Sequence, residues 1–463
     1  MKKTIIRILS LLLLTVLCTV SFSGCANTDE VQGTFSFLNL SNEEMTGQFR
    51  FRKSWFAQSS FVDNPGLLKV SLYAALSTSE NRGDTFSKKY LGDLGFSDLI
   101  SYDTDIEPRV DTVGTVFGRL RTDGVDVIAV IVRGDKYFSE WAGNFIVGSE
   151  GNAHGLDNAA RTVRERLLSY LDSLGPGPFK IWITGYSRGG AVSDLLGAYI
   201  TKDPRPFHTK SEDVFVYTFE APAASAERQG LSNIKNISQP TDPILIFCPS
   251  SWGLGTNGLS IRVGNDPLID LYDESSAKPF SSMPASLFLE EFSAFLGQTI
   301  TRDAYADHYE SSLVPLILMI FSKPDTEKLQ ILDLIKLFVF NVIPDTRFIE
   351  QVKTLWEKVE TSSDPEAPEA LSSLLYERFE KYLGQKTDPV LTADDWEIIR
   401  THLPQMIRFL GTLISADRNS DSGVHPLWHF RTFLNNVDIF ASTHTLDNTL
   451  QVITAEFQKK GKR

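Results

Sequence analysis

The chain has 463 residues, with 45 lysines and arginines against 58 aspartates and glutamates, a formal net charge of −13. That acidity argues against nucleic acid as a partner and against electrostatic attachment to anionic lipid. The length allows one large domain with insertions, or two domains, and 42% hydrophobic with 11% aromatic residues is ordinary for a globular core.

The first predicted element is a leader. Met1-Lys2-Lys3 and Arg7 form a basic start, Ile8 to Val20 is an apolar core, and Phe22-Ser23-Gly24-Cys25 closes it. This pattern predicts a bacterial lipoprotein signal peptide over residues 1–24, with Cys25 lipidated and holding the chain on the extracytoplasmic face of the cell membrane. An ordinary secretory signal, or an anchor that is never cut, is the plainer alternative. Only Cys18, Cys25 and Cys248 exist. Cys18 lies inside the segment removed, so the mature chain would hold one anchor and one free thiol, with no internal disulfide. No later stretch reaches the roughly 18 apolar residues that a spanning helix needs.

Residues 25–50 read as a polar tether ending in an edge element. Asn64-Pro65-Gly66 then precedes Leu67, Leu68, Leu72 and Leu76, spaced as one helix face. Asp126 to Val132 is a near-continuous apolar run, as in a strand buried on both faces of a parallel sheet. Leu156, Ala160, Val163, Leu167, Leu171 and Leu174 recur at threes and fours, predicting a helix of about five turns that stops at Gly175-Pro176. Ile181 to Tyr186, Val214 to Phe219 and Asn233 to Ser238 read as further strands. Alternating strands and helices over 110–250 predict an α/β fold with a mostly parallel sheet. No G-x-G-x-x-G follows any strand, which counts against a dinucleotide-binding domain.

Beyond Asp273 the pattern turns helical: Phe288 to Leu296, Leu313 to Phe321, Leu329 to Val342 and Trp396 to Leu413. Ser362 to Pro368 and Asp388-Pro389 separate helices, and Thr392 with Asp395 resembles a capping pair. The expected organisation is a core over 51–272, a helical cap or insertion over 273–435, and a segment over 436–463 that returns to the core. The blander reading of the helical part is a domain that packs against the sheet without covering anything.

The chemistry is carried by Thr184-Gly185-Tyr186-Ser187-Arg188-Gly189-Gly190, where a strand stops at Gly-x-Ser-x-Gly and a helix starts at once. In such an elbow the serine hydroxyl stands clear of the sheet and the helix N-terminus faces the reacting carbonyl. Gly185 and Gly189 are required because a side chain there would clash within the turn. A serine needs a base and an orienting acid, in the chain order Ser, Asp or Glu, His. Asp242, directly after the strand ending at Ser238, stands where a loop acid belongs. Glu220 follows its strand too early and Asp213 precedes one. His308, His402, His425, His429 and His444 lie downstream.

Val130-Ile131-Val132-Arg133-Gly134-Asp135, with Glu140-Trp141 and Asn144-Phe145, resembles the oxyanion loop of the fungal-type (class 3) lipases of the α/β-hydrolase superfamily. The elbow, Tyr217-Thr218-Phe219-Glu220-Ala221-Pro222 and the Asp242 loop running to Trp252-Gly253-Leu254-Gly255 are similar to a bacterial branch of lipase-family proteins. The resemblance covers about residues 50–270. It implies an α/β-hydrolase fold, a Ser187–Asp242–His triad, and an oxyanion hole made by the N–H groups of Arg188 and Asp135. The family usually has Thr or Ser where this chain has Asp135. A carboxylate there would repel a developing oxyanion unless it points away. The family's histidine lies near the C-terminus before a short helix, which ranks His444 first, His308 as the alternative base, and His425 and His429 behind. His154, ahead of the long helix, reads as structural.

The expectation is therefore a monomeric, lipid-anchored serine hydrolase that cleaves carboxylic esters through an acyl-enzyme, acts on a lipid or small ester, and needs no cofactor. The alternatives are a non-catalytic surface lipoprotein that uses the scaffold for binding, and a serine thioesterase or peptidase.

Overall fold

The computed structural model describes residues 29–39, 42–80, 83–104, 111–122, 124–134, 138–246, 248–273, 278–321, 345–383, 391–418 and 428–460. The expected signal peptide, Cys25, Asp135, His425, the Leu329–Val342 helix and the Asp388-Pro389 linker lie outside the described residues.

Seven strands form one sheet in the order β3 (Ser97–Tyr102), β4 (Thr115–Thr122), β5 (Val125–Val132), β6 (Phe179–Tyr186), β7 (Val214–Phe219), β8 (Leu231–Ser238) and β9 (Gly258–Arg262). The β3–β4 and β4–β5 pairs are antiparallel, and every pair from β5 to β9 is parallel. The apolar run of β5 has a simple cause. Ile128, Val130 and Val132 face one core, and Val127, Ala129 and Ile131 face the other.

On the first face lie α4 (His154–Leu174), which follows the short α3 (Phe138–Gly143), and α5 (Arg188–Lys202). Leu156, Ala160, Val163, Leu167 and Leu171 of α4 are buried against the sheet, as the spacing predicts. The second face is covered by α1 (Pro65–Leu76), whose first turn is capped by the Asn64 side chain accepting the Leu67 N–H at 2.9 Å, and by α2 (Thr85–Asp93). Trp182 of β6 packs into this face near Phe56 and Phe96, and its indole N–H donates to Ser71 Oγ at 2.8 Å.

Two expectations are corrected. The tether expected up to residue 50 is, from Glu30 onward, a hairpin of β1 (Glu30–Leu38) and β2 (Glu44–Arg52). Its alternate residues Phe35, Phe37, Phe49 and Phe51 are buried in the second core, with Phe35 stacked on Tyr73 at 4.2 Å. Each fully buried Phe contributes about 1.5–3 kcal/mol, enough to hold a polar-looking ribbon down. The region after Asp273 is also not wholly helical. It opens with a second hairpin, β10 (Leu268–Asp273) and β11 (Lys278–Pro284), before α6 (Ala285–Thr299). Ile269 and Leu271, two apart, are buried against Phe288 and Phe292 of α6.

A helical turn at Arg302–Ala304 and a π-turn at Tyr305–Tyr309 lead into α7 (Glu310–Phe321). Next come α8 (Thr346–Glu360), α9 (Ala367–Leu383) and α10 (Ala393–Arg418), which share a small core of Val359, Ala367, Leu371 and Ile407. The Thr392–Asp395 pair is a reciprocal cap: the Asp395 N–H donates to Thr392 Oγ1 at 3.2 Å, and the Thr392 N–H to Asp395 Oδ2 at 2.6 Å. The chain closes with α11 (Trp428–Asn435), α12 (Val437–Thr443) and α13 (Leu446–Lys460), whose Ile453 is buried in the second core of the sheet. Among the described residues, no helix is long and apolar enough to cross a membrane.

Candidate active site

The site forms at the carboxyl ends of β5 to β8. β6 ends at Tyr186, and Ser187 takes φ 52° and ψ −125° before α5 begins at Arg188. Such a conformation costs a non-glycine residue about 1–3 kcal/mol, so the surroundings must enforce it. They do so through close backbone approach. The Ser187 N–H donates to the Phe219 carbonyl at 2.8 Å. A Cβ on Gly185 would stand 2.2 Å from the Gly189 carbonyl oxygen, and one on Gly189 would stand 2.4 Å from the Arg133 carbonyl oxygen. Both glycines are thus fixed by sterics.

Three residues from distant parts of the chain meet here. His444, between α12 and α13, lies with Nε2 2.9 Å from Ser187 Oγ and Nδ1 2.8 Å from Asp242 Oδ2. With Nδ1–H donating to the carboxylate, Nε2 is left as the acceptor for the serine hydroxyl. Ser187 is 4% exposed and Asp242 is fully buried, while the His444 side chain keeps 23% exposure. Asp242 Oδ1 also accepts the Ile244 N–H at 2.9 Å. Burial works to raise the Asp242 pKa. The charge and hydrogen bond of His444, then bonds from Glu220 and the Ile244 N–H, outweigh it and hold the carboxyl below its ordinary value.

The loop bearing His444 is pinned to the loop bearing Asp242. Gln239 Nε2 donates to the Thr443 carbonyl at 2.7 Å, and Thr443 Oγ1 to the Thr241 carbonyl at 2.8 Å. The Tyr186 ring lies 5.3 Å from the imidazole. Glu220, which follows its strand too early to be the loop acid, stands beside Asp242 and is fully buried. Its only signal in the sequence was an acid directly after a strand.

The alternative base, His308, sits in the π-turn on an exposed face. His429 is instead half of a buried pair in the helical part, with Nδ1 2.7 Å from Asp417 Oδ1 and Phe295 stacked on its ring at 4.4 Å. His402 Nδ1 lies 3.3 Å from Ser312 Oγ, and His154 Nε2 lies 3.2 Å from the Glu150 carbonyl.

The loop after β5 is gripped by two buried arginines. The Arg133 guanidinium pairs with Glu140 at 2.9 Å and donates to the Asp103 and Thr104 carbonyls, with only 2% and 0% of the pair exposed. Arg188, the residue that opens α5, turns its side chain into the core and donates to Asn144 Oδ1 at 2.8 Å. The residue expected to give one oxyanion donor from its backbone therefore also braces the loop expected to give the other. Further on, Arg302 donates to the carbonyls of Val147, Gly148, Glu150 and Gly151 at 2.7–3.1 Å. No local sequence pattern marks this grip. An apolar cavity of about 300 Å³ opens between this loop, the Asp242 loop and the helices, lined by Asn144, Phe145, Trp252, Leu296, Tyr305 and Leu313 among others. Cys248 is buried nearby in the first core, and burial pushes its thiol up to about 12.

A doubly covered, mostly parallel sheet with a serine at a strand-to-helix elbow defines an α/β-hydrolase of the serine type. Within that class, residues 129–229 match the family model described as Lipase (class 3), from the middle of β5 to just before β8. The resemblance read from the sequence is borne out over this stretch, which supports a carboxylic-ester hydrolase of the lipase type. Solved structures with partial likeness include a triacylglycerol lipase whose catalytic centre is a serine-protease triad (17% identity, 44% of this chain and 83% of that one, TM-score 0.34). A fungal lipase–inhibitor complex (16%, 44% and 83%, TM-score 0.35) and M37 lipase (13%, 40% and 69%, TM-score 0.29) are also similar. No curated protein matches the chain in sequence.

Proposed function

We propose that Ser187, His444 and Asp242 act as the triad of an esterase or lipase that releases an apolar acyl group. The observation that carries the reading is the continuous hydrogen-bonded chain from Ser187 Oγ through the imidazole to a buried carboxylate. Ser187 Oγ attacks the ester carbonyl while His444 Nε2 takes its proton. Asp242 stabilises the imidazolium, and His444 then passes the proton to the leaving alcohol. Water repeats the sequence on the acyl-enzyme. The N–H groups of Arg188 and Asp135 receive the oxyanion. The apolar cavity beside Asn144 and Phe145, on the loop that Arg188 next to Ser187 braces, is the space proposed to bury an acyl chain. A fluorophosphonate probe tests the reading, because it reacts only with an activated serine. Labelling at Ser187 is expected, and a chain that stays unlabelled at neutral pH would sink it.

The same protein is proposed to be held on the extracytoplasmic face of a bacterial membrane by lipid on Cys25. Support comes from the basic and apolar leader ending in Ser23-Gly24-Cys25 and from the net acidity, which leaves little for electrostatic attachment. Two acyl chains hold such an anchor firmly, at about 0.8 kcal/mol per buried methylene. Release from membranes by detergent and not by salt is expected. A Cys25→Ser protein that is processed and fractionates like the wild type would overturn it.

A further inference from the structure

Glu220 is the first residue beyond β7, and its φ of 47° lies in the left-handed region that few residues other than glycine adopt. Its side chain has no access to solvent. The carboxyl oxygens accept the Gln239 N–H at 3.0 and 3.2 Å and Gln239 Nε2 at 3.3 Å. The carboxyl also stands within hydrogen-bonding reach of that of Asp242. Two buried carboxylates in contact cannot both be ionised, and their contact is favourable only with a proton between them. Asp242 already accepts hydrogen bonds from the His444 Nδ1–H and the Ile244 N–H, which favours its charged form. The proton therefore belongs to Glu220.

We propose that Glu220 is a positioning residue of the triad, which stays protonated through turnover, donates its O–H to Asp242 and, through Gln239, fixes the loop that carries His444. The inference rests on the triad assigned above. Gln239 supplies the link, since the same side-chain amide nitrogen that approaches Glu220 donates to the Thr443 carbonyl, and its oxygen accepts Asn448 Nδ2 at 3.0 Å. No bond to Glu220 breaks in the reaction. The mobile proton passes from Ser187 to His444 Nε2 and on to the leaving alcohol, while the Glu220 proton stays on its oxygen. The titratable groups facing this pair are His444 from the loop before α13 and Tyr186 from the end of β6. Burial above all, and the Asp242 charge with it, pushes the Tyr186 phenol well up, so it stays neutral. Burial, then the Asp242 charge, likewise pushes the Glu220 carboxyl well above the usual carboxylate range.

The test compares full-length Glu220→Ala and Glu220→Gln with the wild type on p-nitrophenyl butyrate across pH. Glu220→Ala removes the donor to Asp242, and kcat should fall on the order of 10- to 100-fold, as for a lost buried hydrogen bond. The acid limb of kcat/KM should move to higher pH, because the unshared Asp242 charge then falls more fully on the imidazolium. Glu220→Gln keeps a neutral donor and should rescue both kcat and the limb. An acid limb that moves to lower pH in Glu220→Gln would mean that a negative charge had been removed, and the proposal would fail. It would also fail if Glu220→Ala lowered only the melting temperature. Infrared spectroscopy gives a readout independent of turnover. The wild type should show a protonated-carboxyl C=O band at neutral pH that Glu220→Gln lacks; its absence from the wild type overturns the proposal, even if Glu220→Ala does not fold. Failure of fluorophosphonate labelling in the wild type would strike the triad assignment instead and leave the band readable.

Discussion

Glu310 Oε2 accepts the Val147 N–H at 2.7 Å, joining the first residue of α7 to the loop that follows β5 across 163 residues of sequence. The same oxygen accepts the Gly148 N–H at 2.9 Å, and Tyr305, one turn earlier, donates to the Phe145 carbonyl at 2.8 Å. The entry to the helical part is thus bonded directly to the loop that Arg188 braces at Asn144. Glu310→Ala leaves two partly buried N–H groups without their acceptor. A loss of about 1–3 kcal/mol in thermal stability is expected. Esterase activity should fall with it, since the loop loses one of its supports. Thermal melts and ester turnover check this, and wild-type values in both would show that the bond supports nothing.

Ser187→Ala and His444→Ala are expected to lose on the order of 10⁴-fold or more in kcat on a p-nitrophenyl ester. Because the members act as a unit, the double variant should be no worse than either single one. His308→Ala, on an exposed face, should keep nearly full activity. Steady-state kinetics on the four proteins decides it, and the reverse order of the two histidines would move the base into the π-turn.

The buried Glu220 carboxyl also sets a pH dependence of stability. Its folded pKa lies well above the ordinary value of 4.5. Its stabilising contribution is therefore complete below that value and is lost as pH rises toward the folded pKa. Glu220→Gln carries no such loss. The melting temperature of Glu220→Gln minus that of the wild type should grow as pH climbs from about 4.5. Asp242 acts in the opposite sense, adding stability above its ordinary value of 3.8 that is lost as pH falls, and both proteins share it. Melts across this range are the measurement, and a difference that stays flat would contradict a raised Glu220 pKa.

The cavity beside Phe145 and Leu313 should read acyl length. Leu313→Trp fills part of its roughly 300 Å³. Selectivity for the octanoate over the acetate ester should drop on the order of tenfold, with acetate turnover little changed. Equal loss on both esters would mean that the substitution disturbed the fold and that the cavity does not hold the chain.

The parts that the sequence made legible are those written in local periodicity. β5 declares itself because both its faces are buried, α4 because its apolar stripe is regular, and the elbow because strand, glycines and helix are contiguous. Asp242 is nominated by its place after a strand, and His444 by its likeness to the family's C-terminal histidine before a short helix. The β1–β2 hairpin is hidden in the sequence because its four phenylalanines are spread through polar residues, and only the covering helices α1 and α2 make them a core. Glu220 is hidden in the sequence for a similar reason. Nothing local distinguishes a turn acid from one that tertiary packing brings against another carboxyl. The Arg302 grip on carbonyls some 150 residues away has no sequence signal at all.

Ser187 and His444 stand 257 positions apart, and the whole helical stretch lies between them. A ribosome that has finished the sheet has made the proposed nucleophile and acid, yet the proposed base is still to come. A growing or prematurely ended chain can therefore display a folded elbow and remain inert toward esters. On the proposed triad, hydrolytic competence would arrive only with the last helices, when α13 docks on the far face of the sheet and brings the imidazole with it.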